Sequence, residues 1–164
     1  MAIYLFGITS VKYGVAATGN VFPASGALTA LPNTVKGSVS IEETEGSTTK
    51  FYVDQQFSPV KVVKTEEGEM TATMQFYDMT FATLAALKGG TGDASGYTPA
   101  TGYQMIEKAL QIRLDSGHYL NMYNASISAR ITGGGGRDRM FALEMKATPQ
   151  LTADSSASWE IKPV

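Results

Sequence analysis

Polar and apolar residues alternate along much of this chain, most strictly over residues 69–76. The apolar positions there are Met70, Ala72, Met74 and Phe76, and the polar ones are Glu69, Thr71, Thr73 and Gln75. Because successive side chains of a strand point to opposite faces, this pattern predicts a β-strand with one face in the core and the other in water.

Further alternating segments predict further strands of the same kind. Their inward-facing sets are Val35, Gly37, Val39 and Ile41; Leu110, Ile112 and Leu114; Tyr119, Tyr123, Ala125, Ile127, Ala129 and Ile131; and Phe141, Leu143, Met145 and Ala147. Shorter strands are predicted over residues 3–9, 49–55, 60–64 and 158–162. Roughly eight or nine strands with one wet face each indicate a mainly β fold of antiparallel sheets.

One segment, residues 78–88, has helical spacing instead. Four residues fall on one side of a helix, namely Phe81, Leu84, Ala85 and Leu87. Asp78 is placed to cap the first turn, and Gly89 is a natural stop. A helix of about ten residues is marginal alone, so we expect it to pack on a sheet.

The segments between the predicted strands are of two kinds. Residues 115–117, Asp-Ser-Gly, are typical of a tight hairpin turn, and the four glycines at 133–136 predict a flexible hairpin tip. Residues 14–33 and 89–102 are long, poor in charge and rich in Gly, Ala, Thr and Pro. Long loops of this kind are uncommon unless they are functional or disordered. We therefore expect a neighbouring molecule to order them.

Composition narrows the functional classes. The 164 residues fit a single domain over residues 1–164, and only 17% are charged, against about 25% in an average globular protein. A surface with so few charged residues is expected when partner molecules cover much of it. The net charge of −2 argues against a dedicated nucleic-acid-binding surface, and the lack of cysteine excludes disulfides and thiolate sites. We find no targeting signal and no apolar run of about 20 residues, so no membrane partner is expected.

Few residues suggest chemistry of their own. His118 lies near Asp115 and Ser116, but side chains at a hairpin bend diverge, so a surface histidine is the preferred interpretation over a catalytic triad. The carboxylates at 54, 66, 67 and 69 lack the spacing of a calcium loop. The glycines at 133–136 lack the Lys-Ser or Lys-Thr of a phosphate-binding loop. No catalytic, cofactor-binding or metal-binding residue is therefore assigned, and we expect no enzyme.

The aromatic residues leave a binding function open. Phe51, Tyr52, Phe57, Phe76, Tyr77 and Phe81 are interpreted as core or interface residues. Tyr119 and Tyr123 could form an exposed strip for a carbohydrate, although core packing is the simpler interpretation. A carbohydrate- or protein-binding β-sandwich module thus remains an alternative.

The middle third of the chain, about residues 35–92, resembles the tail tube (major tail) proteins of tailed bacteriophages. The resemblance lies in GSVSIEETE from Gly37, KFYVDQQFSPV from Lys50 and TEEGEMTATMQFYDMT from Thr65. The helix FATLAALKGG from Phe81 then closes the pattern with its double-glycine stop.

The resemblance implies an antiparallel β-sandwich or barrel-like core with one short flanking helix. It implies a homohexameric ring, stacked into a tube that conducts genomic DNA from the virion into the host. The implied partners are other copies of the chain, the tape measure protein, tail terminator or baseplate proteins, and DNA in non-specific passage. The protein would be made in the bacterial host cytoplasm and would reside in the virion tail. An inner-tube protein of a phage-derived injection system is a second alternative.

Two sets of residues follow from this expectation. Wet strand faces would line the lumen, and the candidates are either Glu69, Thr71, Thr73 and Gln75 or Gln111, Arg113 and Asp115. Loops would contact neighbouring subunits, and the candidates there are Glu43, Glu45, Asp93, Tyr97, Arg137 and Arg139. A near-neutral lumen suits sliding DNA, because each phosphate contact by a basic side chain adds salt-sensitive attraction.

Overall fold

A computed structural model describes residues 5–54, 56–102, 104–134, 140–152, 154 and 157–164. The chain is mainly β, as predicted, with antiparallel strands and one short α-helix, α1 (Phe81–Lys88). The strands are β1 (Ser10–Val15), β2 (Thr29–Ala30), β3 (Ser40–Glu43), β4 (Thr48–Phe51), β5 (Lys61–Lys64), β6 (Met70–Phe76), β7 (Thr91–Asp93), β8 (Gly96–Thr98), β9 (Ile106–Leu114), β10 (His118–Thr132), β11 (Ala142–Gln150) and β12 (Trp159–Pro163).

Eight of these strands form one sheet, in the order β2-β1-β9-β10-β11-β6-β3. The eighth, β12, pairs with the first part of β10, and β11 pairs with the second part. This is possible because β10 is 15 residues long. Within the described residues the end strands β2 and β3 pair with no further strand, so the sheet is open.

The sheet curls around a single core. Strands β1 and β3 are five strand spacings apart in the order, which would be roughly 24 Å in a flat sheet. Yet Ile8, just before β1, and Ile41 of β3 line the same groove. One hydrophobic cluster also joins Val11 of β1 to Met74 of β6. One face of the sheet therefore encloses the core, and the other face is polar.

The strictest alternation gave the most accurate prediction. Met70, Ala72, Met74 and Phe76 of β6 are buried, while the three residues between them are half-buried on the opposite face. The inward sets of β9 and β11 are confirmed as well, apart from Phe141, which precedes β11 and is exposed.

The prediction for β10 was wrong in its first half and at its last member, Ile131, which is 47% exposed. A bulge between Met122 and Ala125 shifts the register against β9. Leu120 and Met122 face the core before the bulge, whereas Ala125 and Ile127 face it afterwards. An extra residue in one strand reverses the phase of alternation, and a single periodic pattern cannot describe both halves.

Three predicted strands differ in position or length, and the one predicted over residues 49–55 ends at Phe51. The first strand is Ser10–Val15, and residues 5–9 precede it without regular structure. Residues 3 and 4 of the predicted strand lie outside the described residues. The strand predicted around Val39 is confined to Ser40–Glu43. Gly37, with φ of 75°, interrupts it, and Ser38 N–H donates back to the carbonyl of Val35.

The helix begins three residues later than predicted. Its N-cap is Thr80, whose hydroxyl accepts a hydrogen bond from the amide of Thr83 at 3.1 Å. Asp78 is exposed and lies too far upstream to serve the first turn. Gly89 ends the helix, as predicted, and Leu84 and Leu87 are buried against the sheet.

Both segments predicted as long loops contain regular structure. Residues 89–102 include the hairpin β7–β8, which packs on the helix. Residues 14–33 include the end of β1, a short 3-10 turn at Ser25–Ala27 and β2. Part of each predicted loop is therefore structured by contacts within the chain.

Candidate functional site

The polar face of the main sheet is the first candidate surface. Residues paired across neighbouring strands share a face. One row of this face contains Lys12, Gln111, Asn121 and Glu160. The Gln111 side-chain amide donates to Asn121 Oδ1 at 3.0 Å, and Asn121 Nδ2 donates to Glu160 Oε1 at 3.1 Å. The row is thus a continuous hydrogen-bonded ladder across three strands.

A second part of the same face centres on Glu144 of β11. Gln75 Nε2 donates to one carboxylate oxygen at 3.1 Å, and Arg130 Nε donates to the other at 2.6 Å. The adjacent row contains Ser128, Lys146, Thr73 and Ser40. Charges of both signs are therefore interleaved, which leaves no concentrated basic patch here.

The structure places most of the predicted lumen residues on this one face. The strip Thr71, Thr73 and Gln75 lies on β6, and Gln111 and Arg113 lie on β9, with β10 and β11 between them. From the sequence, the two strips are predicted as alternatives. After the bulge in β10, Ala125 and Ile127 face the core. The polar side of β10 therefore stays on one face of the sheet, and the two strips on either side of it belong to that same face.

The two end members of the strips lie outside the strands. Glu69 precedes β6, where its backbone amide donates to Thr44 Oγ1 at 2.9 Å. Asp115 lies in the turn after β9 and accepts a hydrogen bond from Thr9 Oγ1 at 2.6 Å. The turn itself is as predicted, with Gly117 at φ of 77°.

Burial shifts the titration of two groups beside the ladder. Burial, followed by a hydrogen bond to Glu160, raises the pKa of Tyr123 to about 12. Burial alone would raise the pKa of Glu160, but hydrogen bonds from Lys162 and Tyr123 outweigh it. With a further bond from Asn121, the net effect holds the pKa of Glu160 below its ordinary value. The carboxylate is therefore charged at neutral pH and serves as a structural acceptor.

The tyrosine strip suggested for a carbohydrate does not form. The guanidinium of Arg113 lies over the ring of Tyr119, 5.9 Å from its centroid. Tyr123 is buried, and the ring of Phe22 contacts it edge-on with centroids 6.0 Å apart. Neither ring offers the open flat face that a sugar would stack on.

The residues around His118 do not make a catalytic triad. His118 Nδ1 lies 3.0 Å from the carbonyl oxygen of Ser116 and 3.3 Å from its hydroxyl. Asp115 is hydrogen-bonded to Thr9 and not to the histidine. The histidine thus contacts its own turn, and no carboxylate among the described residues is hydrogen-bonded to its ring.

The hairpin β4–β5 is the second candidate surface, and we call residues 48–64 the arm. Its two strands pair only with each other, and none of its described side chains joins the hydrophobic core. Phe57 at the tip is fully exposed. Five further apolar side chains of the arm are each more than a third exposed, namely Phe51, Tyr52, Val53, Val60 and Val62. Val63 is half-buried.

An open cleft of about 650 Å³ lies between the two ends of the curled sheet. We call this cleft the apolar groove, and its main lining residues are Leu5, Phe6, Ile8, Val35, Val39 and Ile41. Phe6 is 61% exposed at its mouth. Its volume falls within the range of about 300–1,000 Å³ typical of ligand pockets.

The predicted contact residues fall into three groups. Glu43, the last residue of β3, and Glu45, shortly before the arm, are both exposed. Asp93 and Tyr97 serve the β7–β8 hairpin internally: Asp93 Oδ1 accepts from the amide of Ser95 at 2.7 Å, and the Tyr97 hydroxyl donates to the carbonyl of Gly89 at 2.9 Å. Arg137 and Arg139 lie outside the described residues.

The sequence pattern does not single out the arm tip or the groove as a site. A usable signal was present for the arm, because Val62 and Val63 are adjacent and so make both faces of one strand apolar. The groove had no such signal, since it joins residues 5–8 to residues 34–41 only through the curl of the sheet.

Comparison with known proteins does not identify a family for this chain. No protein-family model matches the chain, and no curated protein matches it significantly. Among the described residues, no helix is long and apolar enough to cross a membrane.

Proposed function

We propose that this protein is a structural subunit that assembles with copies of itself, as the tail tube protein of a tailed bacteriophage. The observation that carries the proposal is that one small chain combines a bare apolar arm with an open apolar groove. Contiguous exposed apolar patches commonly mark interaction sites. A chain with two such surfaces in different places is suited to repeated association.

The open ends of the sheet support the same proposal. Strands β2 and β3 offer unpaired backbone groups, which proteins normally cover. A head-to-tail contact between copies covers such edges, and it produces a ring if the rotation closes. The expectation of six subunits and of stacked rings comes from the resemblance of residues 35–92.

The polar face suits the lining of a DNA conduit. Its charges are interleaved and partly neutralised within the chain, as in the ion pair between Arg130 and Glu144. A surface of this kind makes few strong phosphate contacts, so DNA would slide along it. The proposal places the protein in the virion tail, in contact with a tape measure protein and with terminator or baseplate proteins.

Assembly is tested directly by concentrating the purified chain and following its mass by light scattering. Negative-stain images are then expected to show rings or tubes of one uniform diameter. A particle that remains monomeric at all concentrations and salt conditions would contradict the proposal.

The lumen assignment has its own test, because the chain contains no cysteine. In a tube of Arg113→Cys subunits, a small maleimide should enter and react, whereas a maleimide coupled to a large polymer should react only with free monomers. Equal reaction of the large reagent with tubes and monomers would place this face on the outside.

A further inference from the structure

An amine, an amide and a carboxylate meet on the polar face of the sheet, where β12 pairs with β10. Asn121 Nδ2 donates to Glu160 Oε1 at 3.1 Å, and Lys162 Nζ lies 2.8 Å from the same oxygen. Asn121 is directly opposite Glu160 in the ladder, and Lys162 is two residues further along β12. Side chains two residues apart share a face, and a diagonal cross-strand pair is within reach of a long side chain. One carboxylate oxygen therefore bridges the lysine amine and the asparagine amide.

The asparagine amide is buried and is fixed at both of its polar atoms. Asn121 is only 5% exposed, and its Oδ1 accepts a hydrogen bond from Gln111 Nε2 at 3.0 Å. A donor on a carbonyl oxygen stabilises the negative charge that develops there when a nucleophile attacks the carbonyl carbon. The Lys162 side chain is more than half exposed, so its flexible stem is free to bend towards the fixed amide.

We propose that Lys162 Nζ attacks Asn121 Cγ, so that an intramolecular isopeptide bond joins β12 to β10. Glu160 first accepts a proton from the lysine ammonium, which frees the nitrogen lone pair for attack. The new bond is Nζ–Cγ, and the bond that breaks is Cγ–Nδ2. Glu160 passes on two protons from the lysine to the departing nitrogen, which leaves as an ammonium ion, and it ends as a carboxylate. Atoms and charge balance, and no oxidant or cofactor is consumed.

The bond would fasten the C-terminal strand covalently. Within the described residues, β12 pairs with β10 alone, and the bond would close a loop from Asn121 to Lys162. A cross-link of this kind stabilises a fold mainly by constraining its unfolded chain. The structure describes the chain before the reaction, with Lys162 still paired to Glu160. The inference concerns a single chain and does not rest on the self-assembly proposed above.

Mass spectrometry of the purified full chain tests the reaction. Incubation at about pH 9 increases the neutral share of lysine amines relative to neutral pH. The intact mass should then fall by one molecule of ammonia. After trypsin digestion, a branched peptide should join residues 114–130 to residues 147–164.

A matched pair of lysine variants identifies the nucleophile. Lys162→Arg keeps the positive charge but removes the amine, so it should retain its full mass and yield no branched peptide. Lys146→Arg, at an exposed position elsewhere on the polar face, should react as the wild type does. Loss of ammonia from Lys162→Arg at the wild-type rate would overturn the inference.

The role of the carboxylate is tested by Glu160→Gln, which keeps the shape of the side chain but cannot relay a proton. This variant should form the branched peptide about 100-fold more slowly or worse. Its circular dichroism spectrum should match that of the wild type, because an unfolded variant would be slow for another reason. An unchanged rate in folded Glu160→Gln would overturn the assigned relay.

Three results with the wild type would contradict the bond itself. The first is a full mass after prolonged incubation. The second is loss of ammonia without the branched peptide, as a succinimide at an asparagine would give. The third is loss of water in place of ammonia, which would make a carboxyl group the acyl donor. None of these results bears on whether the chain assembles, so the proposed function stands or falls separately.

Discussion

The main sheet and the arm are both antiparallel, yet only the sheet is stabilised by the chain itself. Each long strand of the sheet turns one apolar face to a shared core, as β6 does with Met74 and Phe76. The arm strand β5 has valines at 62 and 63 and therefore shows an apolar side chain on each face. Neither valine joins the core cluster.

This difference shows that folding and association can depend on different apolar side chains of the same chain. Apolar side chains in the sheet stabilise the monomer, whereas those of the arm contribute free energy only when something covers them. The arm should therefore tolerate substitution in the monomer and fail in the assembly. The core should do the reverse, failing before assembly is reached.

The largest expected effect is the difference in stability between a core substitution and the same substitution in the arm. Phe76→Ala should lower the free energy of unfolding by about 3–5 kcal/mol, because it leaves a cavity in a fully buried site. The matched change Phe57→Ala removes the same atoms from an exposed tip and should change monomer stability by less than about 0.5 kcal/mol. Urea unfolding of both variants measures the contrast, and equal losses would show that the arm is part of the core.

The second effect compares the arm with the other small hairpin, β7–β8. Gly92 lies so close to the helix that a Cβ there would collide with the carbonyl oxygen of Phe81. Gly92→Ala should therefore cost about 1–3 kcal/mol by overpacking.

Gly26→Ala is the control for this change, because a Cβ at Gly26 meets no atom within 4 Å. Thermal unfolding of the two variants distinguishes them. A silent Gly92→Ala would mean that this hairpin is as loosely attached as the arm.

The third effect concerns the helix, which belongs to the packed region. Thr80→Ala removes the acceptor for the Thr83 amide and should cost about 1 kcal/mol. Asp78→Ala, at the position first predicted as the cap, should have almost no effect. If Asp78→Ala were the more damaging change in urea unfolding, the helix would begin earlier than described.

The smallest effect lies in the ladder on the polar face. Because the pKa of Glu160 is lowered from its ordinary 4.5, its charge stabilises the fold above that pH. This contribution is lost as the pH falls through the lowered value. Glu160→Gln should cost roughly 0.5 kcal/mol at pH 7, since the charged partner Lys162 is largely exposed.

The difference between wild type and Glu160→Gln should shrink in acid. Unfolding measured from pH 7 to pH 3 tests this expectation, with Glu107→Gln as an exposed control from the neighbouring strand β9. A difference that is constant over this range would rule out the titration of Glu160 as its cause.

Much of the sheet was predictable, for reasons visible in single strands. Strict alternation in β6 identified every inward residue, because a strand between core and water needs that pattern. The turn at 115–117 and the stop at Gly89 were predictable because glycine there adopts positive φ. The surroundings of Tyr119 and Tyr123 were not predictable, because they depend on the β10 bulge and on the ring of Phe22, which is distant in the sequence.

The sequence by itself determined the mainly β class, the inward faces of the regular strands and the single short helix. These depend on local periodicity, which each segment carries within itself. Only the tertiary structure decided that the two polar strips share one face and that residues 5–8 meet β3 in an apolar groove. Those features depend on register and curl, which arise from contacts between residues far apart in the chain.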